Sequence, residues 1–117
     1  NLSLWNTTKV TTMESMFDQA ILFNSDISNW DTSSVLDMSY MFFRASTFDG
    51  NLSLWNTTKV TTMERMFFQA SAFNSVISNW DTSSVLDMSF MFYGASVFNS
   101  NVSNWDTSSV TDMSSMF

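Results

Sequence analysis

The chain contains no cysteine, no histidine and no proline, and only two glycines in 117 residues. Without Cys or His, the usual ligands for zinc, copper and haem are missing, and no disulfide reports a redox compartment. Serine is abundant, but no His or Cys is present to form a nucleophile–base pair, so an enzyme is not expected. Positive charge is scarce too. Lys9, Arg44, Lys59 and Arg65 stand against eleven carboxylates, for a net charge of −7. Duplex nucleic acid and anionic membrane surfaces are repelled by that balance, and no basic patch offsets it. No apolar run approaches the roughly 18 residues that a membrane helix needs. No signal peptide opens the chain, which starts on Asn1 in mid-pattern and reads as a processed product or a fragment.

What the sequence does have is repetition. Trp5, Trp30, Trp55, Trp80 and Trp105 lie 25 residues apart, and a Met-Phe pair recurs from Met16-Phe17 to Met116-Phe117 without insertion or deletion. Such a period marks a stack of similar coils, each supplying one row of a shared core; at least about three are needed for stability. The coils are residues 1–25, 26–50, 51–75, 76–100 and the partial 101–117, read as one domain within a longer array. Ser, Thr and Asn supply 46 residues against 15 charged ones, a surface suited to hydrogen bonding with sugars or neighbouring chains.

Within one coil, Ile27-Ser28-Asn29-Trp30 alternates and carries strand-forming side chains. Asp31-Thr32-Ser33-Ser34 is a turn signal, since short polar side chains bond locally to the backbone. The spacing then changes: Met38, Met41, Phe42 and Ala45 fall at i, i+3, i+4 and i+7, which predicts a short helix with Asp37 as its N-cap. The expected fold class is therefore an α/β repeat solenoid, leucine-rich-repeat-like, with a short parallel strand and a short helix per coil. An all-β coil is the alternative, and the helical spacing speaks against it. The Trp, Met and Phe columns invite a ligand platform or a methionine metal site. A core ladder, each ring or thioether packed on its copy one coil away, explains five identical positions better. No cofactor is expected.

The string Ile27-Ser28-x-Trp30-Asp31-Thr32-Ser33-x-Val35-x-Asp37-Met38-Ser39-x-Met41-Phe42-x-x-Ala45-x-x-Phe48 resembles the repeat of the BspA-like leucine-rich repeat surface proteins. The resemblance covers the whole chain. It implies a secreted or surface-anchored location, roles in adhesion, matrix-protein binding or surface architecture, and no catalytic residues. Asn6 and Asn56, each followed by Thr-Thr, depart from the usual Asp, and no anchor or capping coil is seen.

A longer period overlies the first. Residues 1–25 and 51–75 differ at four positions, residues 26–50 and 76–100 at seven, so the unit there is a pair of coils. Column six runs Asn6, Asp31, Asn56, Asp81, Asp106, which separates like charges except at the adjacent Asp81 and Asp106; recent duplication gives the same alternation. Calcium on the Asp column is disfavoured, because the glycine-bearing calcium loop is absent. Sequons start at Asn1, Asn6, Asn51, Asn56 and Asn101, in odd coils only, and mark candidate N-glycosylation sites in a eukaryotic secretory setting. Tyr40, Phe43, Arg44, Phe68, Phe90 and Tyr93 vary between coils, are mostly aromatic and sit off the apolar stripe; they form a candidate partner contact. A threonine lattice of the ice-binding kind is missing, since Thr11 and Thr12 become Leu36 and Asp37 one coil later.

The expected function is a structural repeat segment of an extracellular filament or cell-surface appendage, associating with itself end to end or laterally. The alternative is a surface adhesin that binds extracellular matrix proteins or glycans.

Overall fold

The computed structural model describes residues 1–117, and its main-chain hydrogen bonds alternate between two kinds of partner. Met16, Ala20 and Phe23 donate three residues back, to the carbonyls of Met13, Phe17 and Ala20, and so close successive reverse turns. Between them, Met13, Ser15, Phe17 and Gln19 donate to Asp37, Ser39, Met41 and Phe43 of the next coil, at 2.7–3.0 Å. The set recurs one coil on, from Met38, Tyr40, Phe42 and Arg44 to Thr62, Glu64, Met66 and Phe68. On the other side of the coil, Leu36 donates to the Thr11 carbonyl and Thr61 to that of Leu36. Alternate N–H groups that a helix would spend on the fourth residue back are spent here between coils, and those between them close three-residue turns.

The α/β repeat solenoid expected from the sequence is therefore not what forms. The chain folds into a compact body of 37 × 29 × 21 Å with a radius of gyration of 12.9 Å. Its only helical element is the three-residue 3-10 turn Leu2–Leu4, capped by the Asn1 side chain. In place of parallel strands there are four isolated parallel bridges, linking Thr12 to Asp37, Asp37 to Thr62, Thr62 to Asp87 and Asp87 to Asp112. The leucine-rich-repeat-like coil of strand and helix is absent for an identifiable reason. Ser15, Gln19, Tyr40, Arg44, Arg65, Gln69, Phe90 and Ser115 all have φ between 49° and 57°, and Gly94 has φ 70°. A left-handed residue at every fourth position stops a right-handed helix from propagating. Reverse turns also advance three or four residues per corner, so they place Met38, Met41, Phe42 and Ala45 on one side as a helix would. The periodicity was real, and its cause was a chain of turns.

The expected strand is likewise a turn. Trp30 donates to the Ile27 carbonyl at 3.1 Å, and Asp26 accepts both the Ser28 N–H (3.0 Å) and the Ser28 hydroxyl (2.7 Å). Asp37 works the same way on Ser39, at 2.8 and 2.6 Å, closing an Asx turn where a helix cap was expected.

The core is a set of columns running across the coils. Phe17, Phe42, Phe67, Phe92 and Phe117 stack with centroids 5.4–5.7 Å apart. Phe23, Phe48, Phe73 and Phe98 form a second stack, joined to the first by in-coil pairs such as Phe67–Phe73 at 3.9 Å. Each such pair adds about 0.5–1.5 kcal/mol beyond its buried area. Trp55 packs 6.3 Å from Phe42 and donates its indole N–H to the Ile27 carbonyl at 3.2 Å. Trp30, Trp80 and Trp105 repeat that bond on Leu2, Leu52 and Ile77. Met38, Met41, Met63, Met66, Met88 and Met91 are fully buried beside them. No helix of the chain is long and apolar enough to cross a membrane.

Candidate interaction surface

The turns that run from Met38 to Ala45 bury Met38, Met41, Phe42 and Ala45 and leave Tyr40, Phe43 and Arg44 on the outside. The outward ones meet their copies in adjacent coils. In one column Phe43, Phe68 and Tyr93 stack face to face, with centroids 4.8 and 5.2 Å apart and planes within 16° of parallel. In the neighbouring column Tyr40, Arg65 and Phe90 follow one another. The Arg65 guanidinium lies 5.4 Å from the Tyr40 centroid and 4.7 Å from that of Phe90, a cation sandwiched between two rings. Arg65 also donates to the Tyr40 hydroxyl and, at 2.8 Å, to Glu64 in the chain's one ion pair. The two columns touch through Tyr40–Phe43 (5.5 Å), Phe68–Phe90 (6.4 Å) and Phe90–Tyr93 (5.9 Å).

All six candidate contact residues named from the sequence thus lie on one wall spanning residues 26–100. Arg44 sits 5.1 Å above the Phe43 ring, with its Nε held by the Gln69 side chain at 2.9 Å. Sequence reasoning missed Arg65, Glu64 and Gln69. Arg65 and Phe68 are nevertheless two of the four differences between residues 1–25 and 51–75, where Ser15 and Asp18 stand instead. That contrast was the available signal.

The five sequon asparagines are exposed, and each does a structural job. Asn6 Oδ1 accepts the Thr8 N–H (3.2 Å) and hydroxyl (2.8 Å), and Asn56 does the same on Thr58 at 3.0 and 2.6 Å. Asn1, Asn51 and Asn101 accept from Ser3, Ser53 and Ser103. At the equivalent places Asp26, Asp31, Asp81 and Asp106 make the same Asx turn on a serine two residues on. An Asx turn takes the main-chain N–H two residues on, and these turns carry Ser or Thr at that place, so a sequon arises where the first residue is Asn. The rhythm of the sequons therefore has a folding cause of its own.

The aspartate turns carry an electrostatic signature. The hydroxyl and backbone N–H of the serine two residues on hold Asp26, Asp31, Asp81 and Asp106 below the usual carboxylate range. For Asp112 the backbone N–H of Ser114 is the larger cause. Asp106 opposes the shift at Asp81 slightly, as a like charge one coil away should. No three acidic side chains gather closely enough to hold a metal ion. One shallow groove of about 350 Å³ lies between Trp55 and Asp81, lined by Ser53, Leu54, Asn56 and Asn79 among others, and it brings no acid–base pair together.

Stacked coils with one variable aromatic flank define a repeat protein whose core and surface are both built in columns. The chain belongs to the family described as Mycoplasma protein of unknown function, DUF285, whose model matches residues 1–83 and again 51–117. No curated protein and no solved structure matches the chain.

Proposed function

We propose that the chain is a structural repeat segment of an extracellular filament or cell-surface appendage, built by adding coil to coil. The observation that carries this reading is the repeated coil-to-coil contact. One face of each coil offers the N–H groups at positions such as Met63, Arg65, Phe67 and Gln69. The other face of the next offers carbonyls at Asp87, Ser89, Met91 and Tyr93 to match. The two faces differ and fit each other, so the contact is heterologous and propagates without closing. Any coil of this pattern, in the same chain or in another copy, extends the stack end to end. The resemblance to BspA-like surface proteins supports the extracellular or cell-surface location. The proposed role is architectural and not catalytic.

Electron micrographs and fibre diffraction of the purified protein test this. The expected result is elongated particles with an axial repeat that is a multiple of the coil spacing, about 4.8 Å. Isolated compact monomers at all concentrations would reject it.

A second reading, a surface adhesin for matrix proteins or glycans, is favoured by the gathering of Tyr40, Phe43, Arg44, Phe68, Phe90 and Tyr93 on one wall. Specific capture of fibronectin, fibrinogen or a defined glycan, lost on substitution of Phe68 by Ser, is its expected signature. N-glycosylation of Asn1, Asn6, Asn51, Asn56 or Asn101 remains part of the proposal for a eukaryotic secretory host, and intact-mass measurement after such expression checks it.

A further inference from the structure

The wall of residues 26–100 breaks local rules in a way that the core does not require. Tyr40, Arg44, Arg65 and Phe90 occupy left-handed backbone, φ 52–57°, which a large side chain disfavours and glycine adopts freely. The chain itself uses glycine at the equivalent Gly94. Variation also concentrates here. Of the eleven differences within the two pairs of related coils, five fall in these three columns: Ser15/Arg65, Asp18/Phe68, Tyr40/Phe90, Phe43/Tyr93 and Arg44/Gly94.

The geometry also restricts what can sit on the wall. Neighbouring rings cover one another's faces, so ring edges and the Arg44 guanidinium point outward. A sugar stacks on a ring face, and the faces between coils are already occupied, leaving one face each of Phe90 and Tyr93 at the end of the columns. Ring edges carry the positive end of the aromatic quadrupole, and Arg44 has no carboxylate within 4.0 Å. The surface that fits is therefore electronegative. This chain carries one with the same spacing. Asp31, Asp81 and Asp106 are exposed on their Asx turns in a single column, none of them ion-paired. Wall and column both step with the coil, the carboxylates interrupted once at Asn56, so two copies set side by side keep a common register.

We propose that this wall is a lateral contact with a second copy of the chain, whose Asp31–Asp81–Asp106 column receives Arg44 and the ring edges. The contact lies on the flank of the coils and stands independently of end-to-end growth.

Sedimentation velocity across a concentration series tests it, with thermal melting on the same samples. Arg44→Gly copies what the fourth coil already has and relieves the left-handed strain, so the fold persists with an unchanged or higher melting temperature. Lateral association is expected to weaken by about tenfold or more, the usual consequence of losing one partner of an interfacial charge pair. Arg44→Glu weakens it further, whereas Asn74→Asp, which copies Asp49 and changes net charge as much as Arg44→Gly does, shifts it by less than about threefold. In micrographs of the Arg44 variants, filaments lose side-by-side pairing and keep their axial repeat. Equal association of wild type and Arg44→Gly overturns the proposal. So do equal effects of Arg44→Gly and Asn74→Asp, a wild type that stays monomeric, or a wall that captures a glycan or matrix protein and no second copy.

Discussion

Residues 1–25 and 51–75 share all but four side chains and live in different surroundings. Trp55 is 4 % exposed and Trp5 56 %; Leu52 is fully buried and Leu2 only partly. Trp55 donates its indole N–H to the Ile27 carbonyl of the preceding coil at 3.2 Å, while the Trp5 indole makes no such bond. The same sequence thus yields a saturated coil when flanked on both sides and an open one when flanked on one. Burial here belongs to the neighbours, because a coil of this kind has no means of covering its own faces.

Substitutions at matched positions sharpen that contrast, and the largest effect is expected in the phenylalanine column. Phe67→Ala should cost about 3–5 kcal/mol in chemical denaturation, since Phe67 is fully buried between Phe42 and Phe92. Phe17→Ala should cost clearly less, because Phe17 has only Phe42 as a stacked copy. Equal losses would mean that the coils do not depend on their neighbours. Next in size, Trp55→Phe removes the indole bond to Ile27 and should cost roughly 1–2 kcal/mol. Trp5→Phe removes no such bond and should be near neutral by the same measurement.

Thr57→Val should destabilise by about 1 kcal/mol, since the Asp81 carbonyl that accepts its hydroxyl at 2.9 Å is deserted. Thr7→Val should be neutral or stabilising, since it replaces a buried hydroxyl that has no partner. The reverse order would show that Thr7 is satisfied in solution. The smallest effect is acid sensitivity. A carboxylate whose folded pKa is depressed adds stability above its unfolded value, about 3.9. That stability is lost as pH falls through the lower folded value. Asp26, Asp31, Asp81, Asp106 and Asp112 are in that position. The matching turns of residues 1–25 and 51–75 use Asn or Thr. Amide exchange below pH 4 should therefore rise first around the aspartate turns, while the turns at Asn6 and Asn56 hold.

Much of the interior was legible from spacing alone. Five copies of Trp and of Met-Phe at one interval had to lie in columns, and the stacks at Phe17 to Phe117 are those columns. The local conformation was not legible, because reverse turns and a helix put Met38, Met41, Phe42 and Ala45 on the same side. Only the left-handed residues separate the two, and Tyr40, Arg44, Arg65 and Phe90 are side chains that give no hint of that conformation. Asp31 was readable as a turn former, whereas Asp37, expected to cap a helix, closes an Asx turn and caps none. On the wall, the varying aromatics were visible in the sequence. Arg65 was not, since its role depends on Tyr40 and Phe90 lying one coil to either side.

The account rests on backbone pairing between coils in place of pairing within a helix, and nuclear magnetic resonance couplings across hydrogen bonds report this directly. The Phe67 amide nitrogen should couple to the Met91 carbonyl carbon, with parallel couplings from Met63 to Asp87 and from Arg65 to Ser89. Coupling from Phe67 to the Met63 carbonyl, the helical partner four residues back, would contradict it.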